Sequence, residues 1–136
     1  MTNIVYNKAL QRIISGAFGL TTGDIKIALL SDSYSPNKDH DLFSQVSQYE
    51  ITGVGYLAGG LPVIGKSVIE DDSNDIAVFK ASAVEWPDST FIARYAVLYE
   101  AVTGYLISCF DFGINRSTLN GVFRIDWNPD GIISFG

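Results

Sequence analysis

One cysteine, one histidine, one methionine and four prolines in 136 residues leave several classes of protein without the groups they need. Cys109 has no second thiol to pair with inside the chain, which excludes an internally cross-linked secreted scaffold. With His40 as the sole imidazole, no Cys/His cluster exists to hold zinc. Basic residues are also short. Nine Lys and Arg against fifteen Asp and Glu give a formal charge of -6, which argues against nucleic acid or an anionic membrane surface as a partner. No apolar run approaches the roughly 20 residues of a membrane-spanning helix. The opening MTNIVYNKAL breaks its apolar residues with Asn and Lys, unlike a signal peptide, so synthesis in a cytoplasm is expected.

What the chain has is core. Hydrophobic residues at 47% against 18% charged are the balance of a packed protein, and the length suits a single domain over 1–136. Tyr6, Leu10, Ile13, Ile14 and Ala17 recur at helical spacing and predict an amphipathic helix over Tyr6 to Phe18, with Gly16 and Gly19 as its stop. From Asp24 the period changes to 2, so the expected layout is a helical segment over 1–20 and a β body over 24–136. Strands are predicted at Ile25–Leu30, Val63–Glu70, Ile76–Ala81, Phe91–Tyr99, Tyr105–Phe112, Val122–Trp127 and Ile132–Phe135. Turn chemistry at Asp71 to Asp75, Trp86-Pro87-Asp88, Thr103-Gly104, Asn120-Gly121 and Asn128 to Gly131 separates them. Such short connections favour antiparallel neighbours. The predicted fold class is therefore all-β, an antiparallel sandwich or flattened barrel with one N-terminal amphipathic helix. Phe91, Ala93, Tyr95, Val97 and Tyr99 alternate against Ile92, Arg94, Ala96 and Leu98, a strand apolar on both faces that is either central or covered by another subunit.

The polar stretch from Ser31 to Glu50 is longer than an ordinary connection, with a short helix expected at Leu42–Val46 capped by Asp41. Within it, Asp39-His40-Asp41 has the ingredients for an oriented imidazole, yet no nucleophile or second metal ligand stands at a recognisable spacing. Asp71, Asp72 and Asp75 offer oxygen ligands but lack the pattern of a calcium loop. Gly53, Gly55, Gly59 and Gly60 form no phosphate cradle, and Cys109 in an apolar strand reads as a buried thiol. The expectation is a protein without catalytic residues, cofactor or metal.

Several pieces carry a resemblance. Ile27-Ala28-Leu29-Leu30, Ser35-Pro36, Asp39-His40-Asp41, the run from Glu50 to Gly60, Trp86, Ala93 to Tyr99, Asp111-Phe112-Gly113, Phe123 to Trp127 and Gly131-Ile132 together resemble a family of small structural proteins of tailed bacteriophages. The Gly-x-Gly-Tyr-x-Ala-Gly-Gly run and the Ala-Arg-Tyr-Ala-Val-x-Tyr strand are its most distinctive parts, and the likeness spans about four-fifths of the chain. It implies a virion component of the head, head fibre, neck or tail, made in the host bacterial cytoplasm and assembling with copies of itself and other virion proteins. Val54 and Leu57 depart from the family pattern by making the glycine run more apolar. A host-glycan-binding β module of the particle is the alternative, with Tyr34, Tyr49, Tyr56 and Trp86 as candidate stacking rings. The expected assembly contact is the segment Glu50 to Gly60, in which Gly53, Gly55, Gly59 and Gly60 let an outside strand approach and Tyr56 acts as an aromatic anchor. Tyr56 filling the domain's own core is the competing reading.

Overall fold

A computed structural model describes residues 1–17, 19–128 and 131–135; Phe18 of the predicted helix and Pro129 and Asp130 of the last predicted turn lie outside them. Strand β1 (Thr2–Val5) leads directly into helix α1 (Asn7–Ser15). There follow β2 (Ile25–Leu30), two 3₁₀ turns (Phe43–Gln45 and Ser47–Tyr49), β3 (Leu61–Pro62), β4 (Ser67–Asp71), β5 (Ile76–Lys80), β6 (Val84–Glu100), β7 (Leu106–Ile125) and β8 (Ile133–Phe135). The strands form two antiparallel sheets, β1-β7-β6-β2-β3 and β4-β5-β8. The chain is thus mostly β and sandwich-like, with one helix at its N-terminus, as the alternation of its residues predicts.

The larger sheet is apolar on both faces because both are covered. Ile27, Leu29, Ala96, Leu98 and Phe110 pack with Phe79 and Ile133 of the smaller sheet. Ala28, Leu30, Val97, Tyr99 and Cys109 pack with Tyr6 and Ala9 at the helix and with Tyr34 and Val46 of the long connection. β6 lies between β7 and β2, so its apolar character comes from a central position in its own sheet.

Four features differ from the sequence expectation. First, Trp86-Pro87-Asp88 and Asn120-Gly121 do not end strands. Asp88 (φ 51°) and Asn120 (φ 49°) adopt left-handed backbone inside β6 and β7, and the ladder shifts register on either side of Ser89. Turn-forming residues here make bulges that bend a long hairpin, so the predicted strands at 105–112 and 122–127 are one. Second, alternation breaks at Arg94. Ala93 faces Arg116 and Tyr95 faces Asp111, so a two-residue step of β6 spans five residues of β7. Phe91 and Ala93 therefore join the core beneath the small sheet while Val97 and Tyr99 face the helix side, instead of all sharing one face. Third, only the second half of the predicted strand Val63–Glu70 is strand, as β4; the two-residue β3 precedes it, and the four-residue β1 was too short and too polar to read.

Fourth, the buried helical stripe is rotated. Tyr6 and Ala9 are fully buried and Ile13 packs on the core, whereas Ile14 is 80% exposed and Ala17 is exposed. Arg12 occupies the intervening flank, its guanidinium 3.5 Å from the Tyr105 ring centroid and bidentate on Asp41. Asp41 therefore does not cap the following turn; Gln45 Oε1 does that work, accepting the Asp41 and Leu42 amides at 2.7 and 2.8 Å. Helix α1 ends where Gly16 (φ 78°) donates its amide back to Arg12 and Ile13. Replacing Ala9 with Asp buries an unpaired carboxylate and is expected to cost about 3 kcal/mol or more, whereas Ile14→Asp should change stability by less than about 0.5 kcal/mol. Chemical denaturation of the two variants checks which stripe faces the body.

Candidate functional site

β2 makes a full ladder with β6 on one side but meets β3 only at Lys26 and Ile27 on the other. The long connection returns along this open edge as a strap. Ser31 donates its amide to the Tyr49 carbonyl (2.9 Å), Ile51 to Leu29 (3.1 Å) and Val63 to Ile25 (2.9 Å). Between these main-chain bonds a side chain takes over. The Leu29 amide donates to the Tyr56 hydroxyl oxygen at 3.0 Å, and that hydroxyl donates to Glu50 Oε2 at 2.5 Å. The Gly59 amide donates to the same carboxylate oxygen at 2.7 Å, and Tyr99 donates its hydroxyl to the Gly59 carbonyl at 2.5 Å. Burial, and then the hydrogen bond to Glu50, push the Tyr56 phenol well above its ordinary pKa, so it stays protonated and able to donate.

The glycines bring backbone close to backbone, but to this chain's own. A Cβ on Gly60 (φ 78°) would stand 1.8 Å from the Ile27 carbonyl oxygen. One on Gly53 would lie 2.7 Å from the Thr90 carbonyl oxygen, and one on Gly55 would lie 3.0 Å from Ser89 Cα. Gly59 (φ 94°) is less tightly placed, with Tyr99 Oη at 3.4 Å. The segment expected to receive a strand from outside thus lies against β2 and β6. Tyr56, the expected outward anchor, is 8% exposed and packs near Trp86 and Phe91. Its hydroxyl is needed where the strap cannot supply a carbonyl. The large apolar side chains that do face outward here are Val54 (66% exposed) and Leu57 (80%).

The other candidates are drawn into the body too. His40 Nδ1 is 2.9 Å from the Tyr34 hydroxyl, which in turn meets the Tyr6 hydroxyl at 2.9 Å. The flanking carboxylates are engaged elsewhere, Asp39 by the Asn7 amide group and Asp41 by Arg12 and Lys8, so neither orients the imidazole. Asp71 accepts from the amides of Ser73 and Asn74 and from the Asn74 side chain, closing the β4–β5 turn. Cys109 is 2% exposed, and burial pushes its thiol up to about 12. Tyr34, Tyr56 and Trp86 are buried and Tyr49 is half-buried, so the rings proposed for sugar stacking face their own domain.

A groove of about 600 Å³ opens between the strap at Glu50, Ile51 and Thr52 and the hairpin at Thr90 to Ile92 and Ser117 to Thr118. Sequence reading missed both this groove and the central part of Glu50. Ile92 at its rim is 59% exposed in a strand otherwise apolar for core reasons, a distinction that alternation alone does not make.

Replacing Gly60 with Ala forces a methyl group into the Ile27 carbonyl and is expected to cost about 3 kcal/mol or more. Gly59→Ala should lose about 1 kcal/mol, the penalty of left-handed backbone alone. Thermal unfolding of the pair measures how tightly the strap is seated.

Compared with protein families, with curated proteins and with solved structures, the chain has no match in any of the three.

Proposed function

We propose that this chain is a non-enzymatic structural protein of a tailed-bacteriophage particle, present in repeated copies on the head surface or at the head-tail region and held there by other virion proteins. The resemblance of its glycine run and its Ala93 to Tyr99 strand motivates the reading. The observation that supports it most directly is the outward pair Val54 and Leu57, carried on a strap that is itself bonded to the sheet at Leu29 and Tyr99. Large aliphatic side chains held rigidly in water suit a protein-protein contact, because the ordering entropy of the loop is already met by the fold. Two carboxylates, Asp111 and Glu100, are committed to structure. Asp111 is bonded to Arg94 (2.8 Å), and Glu100 takes the amides of Val102 and Thr103 and the Thr103 hydroxyl.

The expected contact therefore moves from Tyr56 to its outward neighbours. Mass spectrometry of purified particles should find the chain in many copies, and immunogold labelling should place it at one station. Particles that lack it sink the reading. The double variant Val54→Asp, Leu57→Asp should keep its melting temperature and lose most of its incorporation. Incorporation at the wild-type level would remove the strap from the interface.

A further inference from the structure

The groove beside the strap has walls of a definite chemistry. Phe91 borders it but keeps its ring in the core, and the apolar side chain that the groove exposes is Ile92, 59% exposed. Around them stand hydroxyl groups. Those of Thr52 and Ser117 are on exposed residues and have no protein partner among the described residues. Thr90 accepts the Asn120 amide at 3.0 Å, and Thr118 meets the Ser89 hydroxyl at 2.9 Å, so both sit in fixed positions. A hydroxyl offers one donor and two acceptor sites, which leaves capacity for a ligand even at the two engaged residues.

Charge narrows the ligand further. Among the described residues no Lys, Arg or His lines the groove, and Glu50 is the one ionisable residue that does. A phosphate or an acidic sugar would meet a carboxylate and no cation. A cation would find a single carboxylate that already accepts two hydrogen bonds. What fits is an uncharged molecule with hydroxyl groups around its rim and an apolar face of C–H groups, and the volume lies within the range of about 300–1,000 Å³ seen for small-molecule sites. We propose that the groove binds a neutral saccharide, its C–H face on Ile92 and its hydroxyls on Thr52 and Ser117. The site differs from the buried rings first considered for sugar stacking, and it stands or falls independently of the particle reading.

Titration of the isolated, ¹⁵N-labelled chain by NMR tests this, with glucose, galactose and N-acetylglucosamine as neutral probes and glucuronate and glucose 6-phosphate as anionic comparators. At least one neutral sugar should shift the amides of Thr52, Ile92 and Ser117 saturably, and the anionic comparators should bind at least tenfold more weakly. The double variant Thr52→Val, Ser117→Ala adds no bulk and alters only exposed residues. It should keep its melting temperature and lose about tenfold or more in affinity, the equivalent of two neutral hydrogen bonds. The proposal is overturned if no neutral sugar moves these amides, if the anionic sugars bind as well, or if the folded double variant binds like the parent.

Discussion

The Tyr56 hydroxyl sits where a sheet would otherwise end in an open edge. β2 needs hydrogen-bond partners along its second side, and the returning connection supplies main-chain groups at Tyr49, Ile51 and Val63 but no carbonyl for the Leu29 amide. Tyr56 fills that gap with a side-chain oxygen, and Glu50 holds the hydroxyl by accepting its hydrogen bond. A buried amide left without a partner costs about 1–3 kcal/mol, so this contact decides whether the strap lies down. Gly60, Gly53 and Gly55 are the consequence, since only a chain without Cβ atoms can run so near the carbonyls of Ile27 and Thr90. The outward placement of Val54 and Leu57 and the wall of the groove follow from the same seating.

Side chains and bulges act at the flank of β1 and at the far end of β7. At β1 the Asn3 side-chain amide donates to the Ile132 carbonyl at 3.0 Å, and the Asn7 amide donates to Lys38 at 2.9 Å. The far end of β7 is bent by its bulges until Arg116 lies over Phe112 and Phe123 and donates to the Arg124 carbonyl at 2.9 Å. Bulges and charges on an edge discourage pairing with another chain through the backbone.

Alternation of apolar residues made the β class and most core positions legible, because β2 and the middle of β6 are covered on both faces. Turn residues misled where Asp88 and Asn120 make bulges, since the same left-handed backbone serves a bend and a reversal. The helix stripe was misplaced because hydropathy weighs Ile14 above Ala9, while close packing favours the smaller side chain. The glycine run stood out at once, but its target did not. Nothing in Gly-x-Gly-Tyr tells whether the backbone that comes near belongs to a neighbour or to β2, for that depends on a pairing between residues far apart in the chain.

Hydrogen exchange at the Leu29 amide tests this account most directly. In the parent chain that amide should exchange as slowly as its ladder neighbours in β2. In Tyr56→Phe, which keeps the ring and removes the oxygen, it should exchange much faster while the β2–β6 amides stay protected. A Leu29 amide that exchanges quickly in the parent, or one equally protected without the hydroxyl, would contradict the claim that Tyr56 closes the edge of the sheet.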